Sequence, residues 1–235
     1  MALDIYVGSL ARYYTQEWEN VVQAYARESG QSYQKIGPGV DQPLPNWDEV
    51  ANVSKQWLEV INQQLSSHLD GPITWSEEPT SPYFTDRPGY DGWGAIVTAA
   101  SYVNAGKPIP EMLSEDWMAD PVVLEAMETK ESGKNRFIMI TCSGLWLPAD
   151  FDFTFDFVDV CNEKINISST GLLAIGLRML NEQTVEMDAG EMNSALQAQL
   201  TAESPLEDVF RFSLSMYTDL ARKAHENKLP MFYDM

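Results

Sequence analysis

The chain has 235 residues, of which 44% are hydrophobic, and this is enough to build a core that buries most of its apolar surface. Its 35 Asp and Glu residues outnumber its 15 Lys and Arg residues, so the formal net charge at pH 7 is −20. A surface of that sign repels phosphate backbones and anionic lipids, which argues against nucleic-acid binding and against membrane binding.

The residue inventory argues against several kinds of active site. The chain's histidines and cysteines are His68, His225, Cys142 and Cys161, and none of them stands at the short spacings of zinc ligands. We therefore expect no metal site. We also expect no organic cofactor, because the Gly-x-Gly pair that starts at Gly37 lacks the third glycine and the following helix of a dinucleotide-binding loop.

Two features of the sequence bear on the cellular location of the protein. No stretch without a charged residue approaches the ~20 apolar residues that cross a bilayer, so we expect no transmembrane helix. The N-terminus reads Met-Ala-Leu-Asp, which places an acid where a secretory signal carries positive charge. Together these features predict a cytoplasmic protein with two free thiols.

The first quarter of the chain predicts a strand, a helix and a loop. Apolar residues alternate over 3–7, which is typical of a half-buried strand that ends at the following glycine. Apolar residues recur at three- and four-residue steps over 15–28, and Gly30 suits a left-handed cap, so this segment predicts an amphipathic helix. Residues 37–45 hold two glycines and three prolines and predict a loop.

The next elements depend on capping residues and prolines. Asn46 with a glutamate three residues later predicts a helix that runs to about residue 67. Residues 73–75 are compatible with a short edge strand, and 92–104 reads as a helix that Asp91 can cap. A further helix is expected over 121–130.

The strands of the second half are predicted from alternation. Residues 137–141 are mostly β-branched or aromatic, and 151–157 alternates four phenylalanines with Asp, Thr and Asp. The second of these strands must have one apolar face and one acidic face. Residues 163–168 predict a third strand, joined to the second by a hairpin loop over 159–162.

The rest of the chain is predicted to be helical. Helices are expected to begin at about residues 170, 188 and 204, the last one running to about residue 227. Strands and helices are mixed without regular alternation and without an internal repeat. The sequence therefore predicts a single α+β domain over 1–235, with a small antiparallel or mixed sheet packed against about six helices.

Four segments resemble a family of uncharacterised bacterial proteins. They are Met1 to Tyr14 (MALDIYVGSLARYY), Ser81 to Tyr102 (SPYFTDRPGYDGWGAIVTAASY), Gly144 to Phe155 (GLWLPADFDFTF) and Ile167 to Thr184 (ISSTGLLAIGLRMLNEQT). The resemblance spans most of the chain. It implies a bacterial, cytoplasmic single domain and carries no activity or site residue.

The best candidate for a binding site is the loop that leads into the helix expected near residue 92. It combines aromatic side chains, which supply contact area, with charged side chains, which set orientation. The candidate residues are Tyr83, Asp86, Arg87, Tyr90, Asp91 and Trp93. The structural alternative is an ordered loop whose rings pack on the core, with Asp91 capping the helix and Asp86 paired to Arg87 or to a backbone amide.

Other candidates have simpler interpretations. Asp152 and Asp156 share a strand face and could bind Mg²⁺ or Ca²⁺, but a solvated strand face explains them as well, and no EF-hand spacing accompanies them. Cys142 follows an apolar segment without a nearby base, which favours a buried and inert thiol.

The charge distribution supports two hypotheses. No base but five acids lie between Arg136 and Lys164, and no base but seven acids lie between Arg178 and Arg211. The first hypothesis is an acidic binding protein of unknown partner, in its sharpest form an immunity or inhibitor-type protein against a basic protein such as a nuclease toxin. The second is a hydrolase that uses carboxylates, with or without a divalent metal, in a cleft beside the loop 83–93.

Overall fold

The computed structural model of the chain describes residues 3–32, 44–130 and 133–234. It confirms the α+β class, with a sheet of six strands that is larger than the sequence predicted. The strands are β1 Asp4–Val7, β2 Phe84–Asp86, β3 Leu145–Leu147, β4 Phe155–Val158, β5 Lys164–Ser169 and β6 Met231–Asp234. Of the loop predicted at 37–45, residues 37–43 lie outside the described residues.

The sheet is mixed, and its order is β2-β1-β6-β3-β5-β4. Strands β3 and β5 are parallel, whereas all other neighbours are antiparallel. Within the described ranges the helices are α1 Leu10–Tyr14, α2 Val21–Glu28, α3 Trp47–Leu65, α4 Gly89–Asn104, α5 Pro121–Glu128, α6 Ile138–Thr141, α7 Thr170–Glu182, α8 Ala189–Ala195 and α9 Leu206–Asn227. A 3₁₀ turn covers Trp117–Ala119.

Helices cover both faces of the sheet, and this makes β1 more buried than the sequence predicted. Ile5 and Val7 belong to the core that includes α4, α7 and α9, whereas Tyr6 packs with Trp57 and Ile61 of α3. All four residues of β1 are buried. The expectation of a half-buried strand was wrong because the alternation of apolar and polar residues cannot show that a second helical layer covers the Tyr6 side.

The register predicted for the phenylalanine segment is confirmed. Only Phe155–Val158 forms a strand, but the four phenylalanines from Phe151 to Phe157 pack in one cluster on the α3 side. Asp152 and Asp156 are exposed. Strand β4 is an edge of the sheet, where the indole Nε1 of Trp57 donates to the carbonyl oxygen of Val158 at 2.7 Å. This bond satisfies an acceptor that a sheet edge otherwise leaves to water.

The strand predicted at 137–141 is instead the short helix α6. The Oδ1 atom of Asn135 accepts from the backbone N–H of Phe137, and its Nδ2 atom donates to Thr141 Oγ1. These local bonds hold one helical turn, so they override the β-propensity of the segment. No strand forms at 73–75 either.

The helix predicted over 15–28 is shorter and starts later. Ser9 caps α1, and Gln16 adopts a left-handed conformation with φ +55°, which separates α1 from α2. Asn20 then forms a capping box with Gln23 at the start of α2. Gly30 has φ +66°, as the sequence predicted.

The C-terminal strand β6 was not predicted, although it lies inside the sheet between β1 and β3. Lys228 adopts φ +53° after α9 and turns the chain back toward the sheet. The last four described residues then pair with both neighbours. This strand places Phe232 and Tyr233 on opposite sides of the sheet, at the two core clusters.

Candidate functional site

The predicted loop runs along the β2 edge of the sheet, and Tyr83 at its start is held by the N-terminal segment. Its ring stacks on Tyr6 with a centroid distance of 6.2 Å, and the guanidinium of Arg12 lies 4.8 Å above it. The Tyr83 hydroxyl accepts from the backbone N–H of Glu19. The ring and the polar tip of Tyr83 are therefore both engaged within the protein.

Arg87 pairs with an acid that the sequence analysis did not single out. Its Nε atom lies 2.6 Å from Asp4 Oδ1 and its terminal nitrogen lies 2.8 Å from Oδ2, a bidentate pair. Asn20 also donates to Asp4, at 3.0 Å. The Asp86 carboxylate accepts from the backbone N–H of Arg87, and burial raises the pKa of Asp86 above its usual value. Both charged side chains thus make intramolecular bonds.

Tyr90 and Trp93 come together at the start of α4. Their rings lie 5.3 Å and 4.9 Å from that of Trp117, and Trp93 also contacts Tyr233 at 5.7 Å. A side chain at Gly94 would collide with the Trp117 ring, so this packing requires glycine there. The two rings pack against the core cluster and do not stand away from the backbone.

Asp91 does not cap the helix, contrary to the structural alternative considered above. Helix α4 begins at Gly89, which has φ +70°, and Pro88 precedes it without a side-chain cap. Asp91 is therefore the third helical residue, and it is exposed. An acid in the first turn still interacts favourably with the helix dipole, and this suffices to explain Asp91.

The structure does not bring the loop and the acidic strand into one cleft. Strands β2 and β4 are the two edges of the sheet, five strand spacings or roughly 24 Å apart. Asp152 lies in a cleft with His68 and Asp150 near the start of α7, away from the loop. A hydrolytic cleft shared by the loop and these acids therefore has no geometric support among the described residues.

A different surface combines charge with an apolar concavity. Three segments meet where α7 ends and α9 begins, and the amide of Leu206 donates to the carbonyl of Glu111 at 2.9 Å to join two of them. The resulting cavity has a volume of about 500 Å³. Its apolar lining consists of Ile109, Pro110, Met112, Val185, Pro205, Leu206 and Phe210. We call it the acidic groove.

Two acids, Glu111 and Glu207, line this groove. The segment 109–117 carries three acids, 182–191 carries four and 203–208 carries three, and none of these segments contains a base. Within the part of the chain that the structure describes, two of these acids form ion pairs, Glu207 with Arg211 and Glu182 with Arg178. The acid-rich run before Arg211 signalled part of this surface in the sequence, but the contribution of 109–117 depends on the fold.

A second concavity lies on the opposite side of the sheet, between α1, α3 and the β4–β5 hairpin. It has a volume of about 440 Å³. Its aromatic lining is Tyr13, Tyr14, Trp57 and Phe232, and its charged lining is Asp159, Glu163 and Lys164. We call it the aromatic cleft. None of the six residues predicted from the loop lines this cleft or the acidic groove, and their binding role stays a prediction.

The two thiols are poor nucleophiles. Burial raises the pKa of Cys142, whose Sγ lies 3.3 Å from the carbonyl oxygen of Met127. Burial and the neighbouring Asp159 and Glu163 raise the pKa of Cys161. Neither group is therefore held as a thiolate near neutral pH.

The described ranges contain no group of three or more His, Cys, Asp or Glu side chains placed to hold a metal ion. No helix in the same ranges has the length and apolar character required to cross a membrane.

No protein-family model, curated protein or solved structure matches the chain. The resemblance to a bacterial family stays a prediction.

Proposed function

We propose that the protein binds a basic protein partner and that the acidic groove is the contact surface. The observation that carries this proposal is a mostly apolar cavity that is lined by Glu111 and Glu207 and formed by three acid-rich segments. Exposed acids by themselves would require no partner, because water solvates them. A concavity that is lined mostly by apolar side chains and has acids at its edge is instead suited to contact with a partner.

The chemistry of the groove selects a basic partner with amphipathic side chains. Lys and Arg carry long apolar stems, which can lie along Ile109 and Met112 while their charged ends reach the rim carboxylates. Met112 is 51% exposed, so apolar surface is open to such a contact. The net charge of −20 would in addition steer a basic partner toward the protein before contact.

The sharpest form of this proposal is an immunity or inhibitor role. A nuclease toxin must carry positive charge to bind nucleic acid, and an acidic protein can cover that positive surface. In this form, the groove occupies the partner's basic site and blocks its substrate by competition.

Carbodiimide cross-linking in cells of the source organism tests the proposal, because it joins a carboxylate to a partner lysine without a spacer. Mass spectrometry should find Glu111, Glu186 or Glu207 joined to a protein of basic isoelectric point. The purified partner is then titrated against a groove variant that carries Glu111→Gln, Glu186→Gln and Glu207→Gln. We expect affinity to fall by at least about tenfold, which corresponds to 1.4 kcal/mol.

The matched control carries Glu49→Gln, Glu59→Gln and Glu78→Gln, which remove the same charge from exposed positions elsewhere. This control should bind like the wild type. Met112→Lys should also weaken binding, because it places a like charge in the groove. If the groove variant and the control lose the same affinity, only the net charge matters and the groove is not the contact surface.

A further inference from the structure

The aromatic cleft is independent of the acidic groove. Its wall residues Leu10, Trp57 and Phe232 belong to the core cluster on the α3 side of the sheet, whereas Leu206 and Phe210 of the groove belong to the other cluster. The layers of the fold therefore separate the two concavities. Neither the predicted loop nor the proposed contact with a basic protein uses the aromatic cleft.

The two tyrosine hydroxyls of the cleft have their protons committed to carboxylates. Tyr13 donates to Asp234 Oδ1 at 3.0 Å, and Tyr14 donates to Asp159 Oδ2 at 2.9 Å. Burial and these same carboxylates raise the pKa of both tyrosines, so both stay protonated in the neutral range. A hydroxyl that already donates can only accept from a ligand.

The charged groups of the cleft also favour a ligand that donates hydrogen bonds. Asp159 and Glu163 line it, and Asp234 lies behind Tyr13. Lys164 is the one base among the described lining residues, and its positive charge also acts on Asp156 on the other side of the hairpin. The interior of the cleft therefore presents more acceptors than donors, and its net charge is negative.

The walls of the cleft add a second preference in the same direction. Tyr13 meets Tyr14 and Phe232 edge to face, with centroids 5.0 Å and 4.3 Å apart, and this arrangement fixes the rings around the cavity. Aromatic faces attract cations through their quadrupole, and the attraction is strongest where water is partly excluded. Rings, acceptors and carboxylates thus point to the same ligand chemistry.

We infer that the aromatic cleft binds an organic cation, a guanidinium or ammonium group on a short apolar body. The apolar body lies against Trp57 and Phe232, and the cationic end contacts the tyrosine rings and the carboxylates of Asp159 and Glu163. The cation has two possible sources, a free small molecule and an arginine or lysine side chain of another protein. Both present the same chemistry to the cleft.

The test compares butylguanidinium with butylurea, which has a similar shape and no charge. Binding is measured by isothermal titration calorimetry and by protection of Cys161, an exposed thiol that lines the cleft. A maleimide reagent alkylates Cys161, and peptide mass spectrometry follows its rate separately from that of Cys142. Butylguanidinium should bind saturably, at least about tenfold more tightly than butylurea, and should slow the alkylation of Cys161. Sodium chloride at equal ionic strength should give less protection.

Two variants locate the site. Asp159→Asn combined with Glu163→Gln removes both lining carboxylates while Asn retains the Oδ1 acceptor for the hairpin turn. We expect this variant to bind butylguanidinium at least about tenfold more weakly. Tyr14→Leu should weaken binding through the loss of the ring. The matched control, Glu125→Gln with Glu226→Gln, removes two exposed charges on the opposite side of the sheet, outside the acidic groove, and should bind like the wild type.

The source of the cation is distinguished with a capped Gly-Arg-Gly peptide. Tighter binding of the peptide than of butylguanidinium indicates a protein side chain, and exclusion of the peptide indicates a free small molecule. Either result supports the inference. Equal affinity for butylurea, unchanged binding in the Asp159 and Glu163 variant, or no saturable binding of butylguanidinium would overturn it.

Discussion

The carboxylate of Asp4 and the guanidinium of Arg87 form a bidentate pair across 83 residues of sequence, with distances of 2.6 Å and 2.8 Å. Asp4 opens the first strand and is 3% exposed, whereas Arg87 follows the edge strand β2. The pair therefore joins the predicted binding loop to the sheet. Its function in the fold is to compensate a buried negative charge, which is costly to leave unpaired.

Arg87→Ala should destabilise the protein by about 3 kcal/mol, because it leaves Asp4 buried with Asn20 as its remaining side-chain donor. Arg87→Lys should recover only part of the loss, since an ammonium cannot reproduce the bidentate contact. Urea denaturation checks both values. The control Arg27→Ala removes an exposed pair with Glu19 and should leave the unfolding midpoint unchanged. An equally stable Arg87→Ala variant would contradict this account.

Trp93→Ala should act on stability and leave partner binding intact. The Trp93 ring packs on Trp117 and Tyr233, so its removal should cost about 3 kcal/mol. The folded fraction, measured at low temperature, should bind a basic partner with unchanged affinity because Trp93 does not line the acidic groove. Tyr25→Ala, at a side chain that is 66% exposed, is the control. A loss of affinity without a loss of stability would show that the predicted loop, and not the groove, is the contact surface.

Glu77 predicts a specific pH dependence. Its carboxylate is buried and accepts from the backbone amides of Leu10 and Ala11 and from the indole of Trp75. Burial raises the pKa of Glu77 above its ordinary value of 4.5, despite these donors. The folded protein therefore holds this proton more tightly than the unfolded chain does. The resulting stabilisation is present below pH 4.5 and is lost as pH rises through the raised pKa.

Comparison of the wild type with Glu77→Gln isolates this effect, because glutamine does not titrate. The unfolding free energy of the wild type minus that of the variant should fall as pH rises above about 4.5. Urea denaturation at each pH gives the difference. A difference that rises with pH would show that the donors outweigh burial and that the pKa is lowered.

The sequence predicted those features that depend on local periodicity and capping. The register of Phe151 to Phe157 followed from the alternation of side chains, and the helix after Asn46 followed from its cap. Strand β6 was missed, because four residues that follow Pro230 carry too short a pattern. Its place in the sheet depends on pairing with β1 and β3, which no local signal encodes.

The candidate surfaces likewise combine features that are visible in the sequence with features that depend on the fold. The run of acids between Arg178 and Arg211 was visible in the sequence, but the groove also needs Glu111, which the fold brings to the amide of Leu206. The aromatic loop was visible too. That its rings pack on Trp117 depends on a contact between separate elements, and composition alone cannot distinguish a packed ring from an exposed one.

The bond between Trp57 and the β4 edge gives a further test. Trp57→Phe keeps an aromatic ring in the core but removes the N–H that donates to the Val158 carbonyl at 2.7 Å. We expect a loss of about 1 kcal/mol, the usual contribution of one hydrogen bond, together with some loss of packing. Trp18→Phe is the control, since it makes the same ring replacement at a half-buried tryptophan that packs on Tyr6. Equal stability of Trp57→Phe and the wild type would show that water replaces the bond.

The salt dependence of partner association tests the role of the groove acids most directly. Exposed charges act across roughly 10 Å at 0.1 M ionic strength but only across about 3 Å at 1 M, so added salt should slow association with a basic partner. Electrostatic steering raises association rates by about 10 to 10³-fold, and most of that gain should disappear in stopped-flow measurements at high salt.

The variant with Glu111→Gln, Glu186→Gln and Glu207→Gln should show a shallower salt dependence than the control with the same net charge, because its lost charges lie at the contact. Dissociation should change less than association, since rim charges act mainly before contact. Identical salt slopes for the two variants would assign the steering to the whole acidic surface and would remove the groove from the proposal.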